Sequence, residues 1–256
     1  MIHQTAIIDP SAKIADDVEI GPYTIIGAEV EIGAGTWIGP HVVINGPTKI
    51  GKENKIFQFA SIGEQPQDLK FDGEPTRLEV GDRNTIREYV TFNRGTETGG
   101  GVTRIGNDNL FMAYVHVAHD CQVGNNIIFA NSASLAGHVE VGDNAILGGF
   151  TLVHQFTRIA TRCMTSMGSA VNRDVPPYVI VSGNYAKAYG INKVGLKRSG
   201  FSDETIRAIQ NAFKLLVRSH KPRAEVMKQV QPLMKRHPEV KLFVDFIESS
   251  ERGIVR

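Results

Sequence analysis

The sequence predicts a triangular parallel β-helix followed by a small α-helical domain. Three observations carry that prediction: a six-residue period of large apolar residues, a second period of small residues locked to it, and a change to helical spacing near the C-terminus. From Ile8 the chain places isoleucine at every sixth position, through Ile14, Ile20, Ile26, Ile32, Ile38, Ile44, Ile50 and Ile56 to Ile62. The period returns at Val80, Ile86 and Phe92, then runs from Ile105 through Phe111, Val117, Val123, Phe129, Leu135, Val141, Leu147 and Val153 to Ile159. An α-helix advances about 3.6 residues per turn and cannot keep such a period on one face.

Four residues after most of these positions stands a small or β-branched residue, as at Ala12, Val18, Thr24, Val30, Thr36, Ala133, Ala145 and Thr157. Glycine often follows the large residue directly, as at Gly21, Gly33, Gly39, Gly124 and Gly142. Each hexad therefore supplies one large inward residue, one small inward residue and a corner. Three hexads close one triangular turn of 18 residues, and stacked turns pair as parallel strands roughly 4.8 Å apart. Small residues fit the narrow interior near the corners, and glycine tolerates unusual backbone there. Repeats of this kind bury a core only by stacking. The same register puts Cys121 and Cys163 in the small inward slot. They form no metal-ligand spacing, so both read as buried packing residues.

The prism is expected over residues 1–190, with two polar excursions where the period lapses, about 64–79 and 93–104. Both excursions contain glycine or proline and should leave the scaffold as loops. Beyond Pro176 and Pro177 the pattern fades, and residues 191–256 read as helical. Ser202 is the expected N-cap of one helix, with Asp203 and Glu204 in its first turn and Ile206, Ile209, Phe213, Leu216 and Val217 on its apolar face. Pro222 and Pro238 open two more. This domain should cover the strand edges at the open end of the prism.

A formal charge of +1 gives the whole molecule no pull toward nucleic acid or membrane. No apolar run nears the roughly 20 residues of a membrane span, and the N-terminus shows no basic segment followed by an apolar one. A cytoplasmic location is expected. Local charge is different: from Lys193 to Arg223 there are eight basic residues against two acids, a solvated face or a dock for an acidic partner.

Four of the eight histidines, His116, His119, His138 and His154, lie in the second run of hexads. One 18-residue step from His119 reaches Gly137, beside His138, and a second reaches Gln155, beside His154. The period therefore brings His119, His138, His154 and Gln155 near one corner of successive turns. Histidine is the usual general base near neutral pH. No serine or cysteine has a nucleophile's setting, so direct attack by a bound alcohol is the economical chemistry. The Gly137 N–H is placed to stabilise an oxyanion.

Several stretches carry a resemblance: QDLKFDGEPTR from Gln67, NRGT from Asn93, HVAHDC from His116, LAGHVEVGDNAILGG from Leu135, VHQF from Val153, DVPPYV from Asp174 and GLKRSGF from Gly195. Together they are similar to the UDP-N-acetylglucosamine O-acyltransferase family of hexapeptide-repeat enzymes, over essentially the whole chain. The resemblance implies a left-handed coil, where general topology rules favour the right hand. It implies a homotrimer with clefts between prisms, an acyl carrier protein bearing a 3-hydroxyacyl thioester, and UDP-N-acetylglucosamine as acceptor. His119 matches the general base, Asp120 its partner and Gly137 the oxyanion donor. Gln67, Asp68, Lys70, His116, His138, His154, Gln155, Asn192 and Arg198 match substrate contacts. The basic segment becomes the dock for the carrier protein, and no metal or other cofactor is expected.

Two departures stand out. Val194 replaces a glutamate found in some members, so a nucleotide contact at that position is not expected from the resemblance. Met167 replaces the glycine of members that take longer chains, and each methylene excluded from a groove is worth about 0.8 kcal/mol. Competing readings are the later N-acyltransferase, whose extra N-terminal domain has no counterpart before Ile8, a zinc hydratase of the γ-carbonic anhydrase type, and a non-catalytic scaffold. A donor series tests the Met167 reading: a chain of about ten carbons should turn over fastest. Equal or better turnover of a fourteen-carbon donor by the unaltered protein would contradict it.

Overall fold

The computed structural model describes residues 1–256. The six-residue period folds into strands two to four residues long that alternate among three faces, so that each strand pairs with the third one along the chain. The result is three sheets of nine, eight and ten strands, parallel except for the last strand of the third, forming the walls of a triangular prism. The register is the one the period demands. Ile7 pairs with Ile25 and Ile25 with Val43, while Ile20 pairs with Ile38 and Ile38 with Ile56. The large residues fill the interior, where Ile26, Ile38, Ile44, Ile50, Ile56 and Ile62 are buried. Near mid-height phenylalanines replace isoleucine, and the Phe111 and Phe129 rings stack 4.8 Å apart.

The small inward slot does more than save space. Thr24 Oγ1 donates to the Gly39 carbonyl at 2.7 Å and accepts from Val42 N at 3.2 Å, stitching one turn to the next. Where the slot holds asparagine a buried ladder forms. Asn54 Oδ1 accepts from Asn84 N at 2.9 Å, Asn84 Oδ1 from Asn109 N at 3.0 Å, and Asn109 Oδ1 from Ile127 N at 2.8 Å. Each side chain satisfies a backbone donor that the corner leaves unpaired. Cys121 and Cys163 are buried in this slot, and burial pushes both thiols up to about 12.

The corners correct the reading of glycine. The left-handed backbone falls three residues after the large residue, at Tyr23, Glu29, His41, Phe59, Asp120 and His138 among others, and is mostly not glycine. The glycines that directly follow the large residue serve close approach instead. A Cβ on Gly33 would lie 2.7 Å from the Gly51 carbonyl carbon of the next turn.

The excursions are narrower than the lapse in the period. Arg77–Val80 and Val102–Ile105 are strands, with Leu78 paired to Thr48 and Thr103, so only residues 65–76 and 94–101 leave the wall. Polar side chains on the outer face of those strands hid them. At the far end Val179–Ser182 pairs antiparallel with Lys187–Ile191, a strand that closes the sheet edge before any helix does. Four α-helices follow, α1 Lys193–Arg198, α2 Asp203–Phe213, α3 Arg223–Arg236 and α4 Pro238–Glu248, and α2 runs on into a π-helical turn, Lys214–Arg218, that carries Leu216 and Val217. Ser202 caps α2 by accepting from Thr205 N, as its sequence indicates. The short α1 has no apolar period, and its cap is Asn192.

Gly33→Ala should lower stability by about 1–3 kcal/mol, because backbone of the next turn has nowhere to go. Gly190→Ala, with nothing within 4 Å of its added Cβ, is the matched control and should melt with the parent. Circular dichroism melts of the two variants check the difference.

Candidate active site

The corner after the first sheet carries the site. His116–Val117 forms a strand, and the chain then turns through His119 to Asp120, which holds φ 62°. Aspartate tolerates that left-handed conformation better than most residues. The turn buries the Asp120 carboxylate and leaves the His119 ring partly open, with side-chain exposures of 0% and 13%.

Every acceptor position that matters on Asp120 is used. Oδ1 accepts from Thr96 N at 2.8 Å. Oδ2 accepts from Thr96 Oγ1 at 2.7 Å and lies 2.8 Å from His119 Nδ1. Asp120 N donates to Thr103 Oγ1 at 2.8 Å. Burial pushes the carboxyl up, but the hydrogen bonds from His119 and Thr96 outweigh it and hold it below the usual carboxylate value. An ionised Asp120 only accepts, so the His119 proton sits on Nδ1 and Nε2 keeps a free lone pair.

Thr96 comes from the second excursion, whose short 3₁₀ turn Glu97–Gly99 it caps. A Cβ on Gly99 would sit 2.0 Å from Asp120 Cγ, so only glycine lets this loop reach the carboxylate. Sequence reading missed Thr96, Thr103 and Gly99. No period marks them, and they meet Asp120 only through the prism's geometry.

One turn above, Gly137 lies against the imidazole. A Cβ there would meet His119 Cε1 at 2.5 Å and Nε2 at 2.7 Å. The Gly137 N–H finds no acceptor in the chain. His138 follows in left-handed backbone, its ring 5.1 Å from that of His119 and edge-on to it. Phe156, two turns above Asp120, stacks on His138 at 4.3 Å. Burial lowers the His138 pKa against the pull of the Asp120 and Asp68 carboxylates. His116 is also lowered, by burial and then by the neighbouring His119 charge, and its Nδ1 is 2.7 Å from Thr91 Oγ1. Both rings stay neutral where an ordinary histidine begins to charge.

His119, Asp120 and His138 offer three metal-type ligand atoms within 4.8 Å of one another. Oδ2 of Asp120 already serves Thr96 and His119, however, and His138 Nε2 stands 3.7 Å away from it. A zinc ion needs three unshared donors, so the arrangement fits an oriented acid–base pair better than a metal centre.

The remaining expected residues divide into those near this corner and those elsewhere. Asp68 and Lys70 line a hollow of about 360 Å³ between the two excursions, with Thr96 on its wall, and exposed Gln67 precedes them. His154 and Gln155 lie on the same corner two turns up, but the His154 ring meets the Gln155 carbonyl at 3.1 Å and Arg252 at 3.2 Å rather than the other imidazoles. Asn192 is buried, and its carboxamide accepts from Gly195 N at 2.9 Å, while Arg198 is exposed in the last turn of α1. Met167 is 83% exposed and follows the third sheet, on a different corner from His119. One chain does not bring Met167 and the dyad together.

Short parallel strands coiled about a prism, with a histidine–carboxylate pair at a corner, define the class of hexapeptide-repeat transferases. The bacterial transferase hexapeptide family matches residues 1–34 and 103–137, and the family described as "Udp N-acetylglucosamine O-acyltransferase; Domain 2" matches residues 174–255. The chain is 60% identical to the acyl-[acyl-carrier-protein]–UDP-N-acetylglucosamine O-acyltransferase of Thiobacillus denitrificans, across 100% of this chain and 99% of that relative. Among solved structures, LpxA from Acinetobacter baumannii superposes with a TM-score of 0.97 at 50% identity, covering 100% of this chain and 99% of that one. The UDP-N-acetylglucosamine acyltransferase of Arabidopsis superposes at 0.87 and 32% identity, covering 100% of both. The chain belongs to the UDP-N-acetylglucosamine O-acyltransferase family, and its fold is the left-handed parallel β-helix.

Asp120→Asn keeps the shape and the left-handed backbone but removes the charge. The Asp120 pKa is depressed on folding, so the stability it adds is present above its unfolded value of 3.8 and is lost as pH falls through the lower folded value. Urea unfolding of parent and variant should differ by a steady amount from about pH 5 to neutrality, and the two curves should converge below about pH 4. A gap that widens in acid would contradict the assignment.

Proposed function

We propose that the protein transfers a 3-hydroxyacyl chain from acyl carrier protein to the glucosamine 3-hydroxyl of UDP-N-acetylglucosamine, the first step of lipid A synthesis. The observation that carries this reading is the His119–Asp120 pair, with Nδ1 committed to Asp120 and the Nε2 edge against a residue that has no side chain. His119 Nε2 takes the proton of the sugar hydroxyl as its oxygen bonds to the thioester carbonyl carbon. The C–S bond then breaks, and the same proton passes to the departing thiolate. The Gly137 N–H meets the oxyanion formed between these steps. Asp120 orients the ring and balances the imidazolium. Asp68, Lys70, Gln67, His116, His138, His154, Gln155, Asn192 and Arg198 are proposed to hold the two substrates.

The working unit is proposed to be a homotrimer. The outer face of the second sheet carries Lys13, Glu31, Lys49, Glu79, Arg104 and Glu140, a charged ladder suited to water. The first sheet instead exposes Ile7, Ile25 and Leu152, and the corner before it exposes Tyr23, Phe59, Tyr89, Tyr114 and Phe150. Apolar surface of that extent favours a partner. A neighbouring prism would also bring a Met167 corner toward a His119 corner, as a groove limiting acyl length requires. The exposed cations of the helical domain suit the acidic carrier protein, and no helix is long and apolar enough to cross a membrane. A cytoplasmic location is the setting we propose.

Acyl transfer from a series of 3-hydroxyacyl carrier proteins to UDP-N-acetylglucosamine tests the reading. The parent should form O-acylated product, and His119→Ala should lose about 10²–10⁴-fold in kcat/KM. No transfer from any donor would overturn the substrate assignment, and an unimpaired His119→Ala would overturn the mechanism.

A further inference from the structure

After α4 the chain turns back along the His119 corner as a strap, residues 249–256. Its anchor is Asp174, which is 1% exposed. Asp174 N donates to the Gly253 carbonyl at 3.1 Å, and Val255 N donates to the Asp174 carbonyl at 3.0 Å. Ser250 Oγ donates to Asp174 Oδ2 at 2.8 Å. The same carboxylate accepts from Arg158 N at 2.9 Å and Arg158 Nε at 3.2 Å, and the Arg158 guanidinium lies over Phe246 of α4. Ile254 and Val255 are buried. The strap is thus pinned on both sides of Arg252.

Arg252 itself makes one polar contact, from Nη2 to His154 Nδ1 at 3.2 Å. It also borders, with His138 and Phe156, a hollow of about 430 Å³ at the catalytic corner. A guanidinium only donates, so the Nδ1 it meets must hold a lone pair and the His154 proton must sit on Nε2. The Gln155 carbonyl, 3.1 Å from the same Nδ1, favours the opposite tautomer, since a carbonyl only accepts. The two contacts exclude each other, and the strap that pins Arg252 on both sides holds its guanidinium against Nδ1.

We infer that Arg252 is a positioning residue that selects the His154 tautomer with its proton on Nε2, as a hydrogen-bond donor toward an oxygen of the sugar nucleotide. This rests on the proposed reading of the corner as the acceptor site. The strap thereby makes the C-terminus part of the active site. Its hold on Asp174 sets where Arg252 sits, and nothing in the hexad period announces it.

The inference is tested on the full-length protein labelled with ¹⁵N-histidine, by two-bond nitrogen–proton correlation of the assigned His154 ring. The parent should show protonated Nε2 and bare Nδ1. Arg252→Ala should move the proton to Nδ1, and Arg252→Lys should restore the parent tautomer. The same His154 tautomer in parent and Arg252→Ala would overturn the inference. In kinetics, Arg252→Ala should raise KM for the sugar nucleotide by roughly two- to ten-fold with little change in kcat. It should add nothing in a His154→Ala background, where additive losses would contradict coupling through His154. A parent that transfers no acyl group would count against the proposed function, while the nitrogen spectra still decide the role of Arg252.

Discussion

Backbone pairing between turns 18 residues apart is the constraint on which the rest of this structure depends. A short strand has little to hold it alone, and each is fixed by hydrogen bonds to the turns below and above. That stacking makes residues distant in sequence into near neighbours at one corner, His119 beside His138 and His138 beside Phe156. Because side chains alternate between inside and outside, a slip of one residue would turn the isoleucine ladder outward and the corner histidines out of line. The asparagine and threonine ladders inside the prism resist such a slip, since their bonds close in one register only.

On this rigid frame the chemistry rests on a buried charge. The Asp120 carboxylate is out of water, a position it can hold ionised only because Thr96 supplies two donors and His119 a third. The partnership fixes the imidazole's tautomer and presents its other nitrogen toward Gly137. His138 and His116 are kept neutral by burial. Near the same corner Arg252 bears on His154 in the opposite sense, as a cation facing Nδ1 where His119 faces an anion. On the proposed reading the corner holds imidazoles of opposite tautomer, one with a bare Nε2 to accept a proton and one with an Nε2–H to donate a hydrogen bond.

Much of the fold was legible because the period is strict. The isoleucine positions from Ile8 to Ile62 gave the strands, the three faces and the register, and the vertical alignment of His119, Gly137 and Gln155 followed from the same count. Features without a period were not legible. The strands Arg77–Val80 and Val102–Ile105 were hidden by polar residues on their outer faces, and α1 is too short to show helical spacing. Glycine was given the left-handed corner, yet Tyr23, His41, Asp120 and His138 occupy it, and glycine is needed where turns press together. Thr96, Thr103 and Arg252 reach the site through tertiary contacts that no sequence spacing encodes, and His154 was aligned by the count while its ring turned toward the strap.

Catalysis at this corner requires a bound sugar hydroxyl within reach of His119 Nε2. A crystal structure of the assembled protein with UDP-N-acetylglucosamine measures this directly. The glucosamine 3-hydroxyl oxygen should lie about 2.6–3.2 Å from His119 Nε2, with His119 Nδ1 still on Asp120. A fully occupied nucleotide whose 3-hydroxyl faces away from His119, or which binds at another corner of the prism, would contradict it.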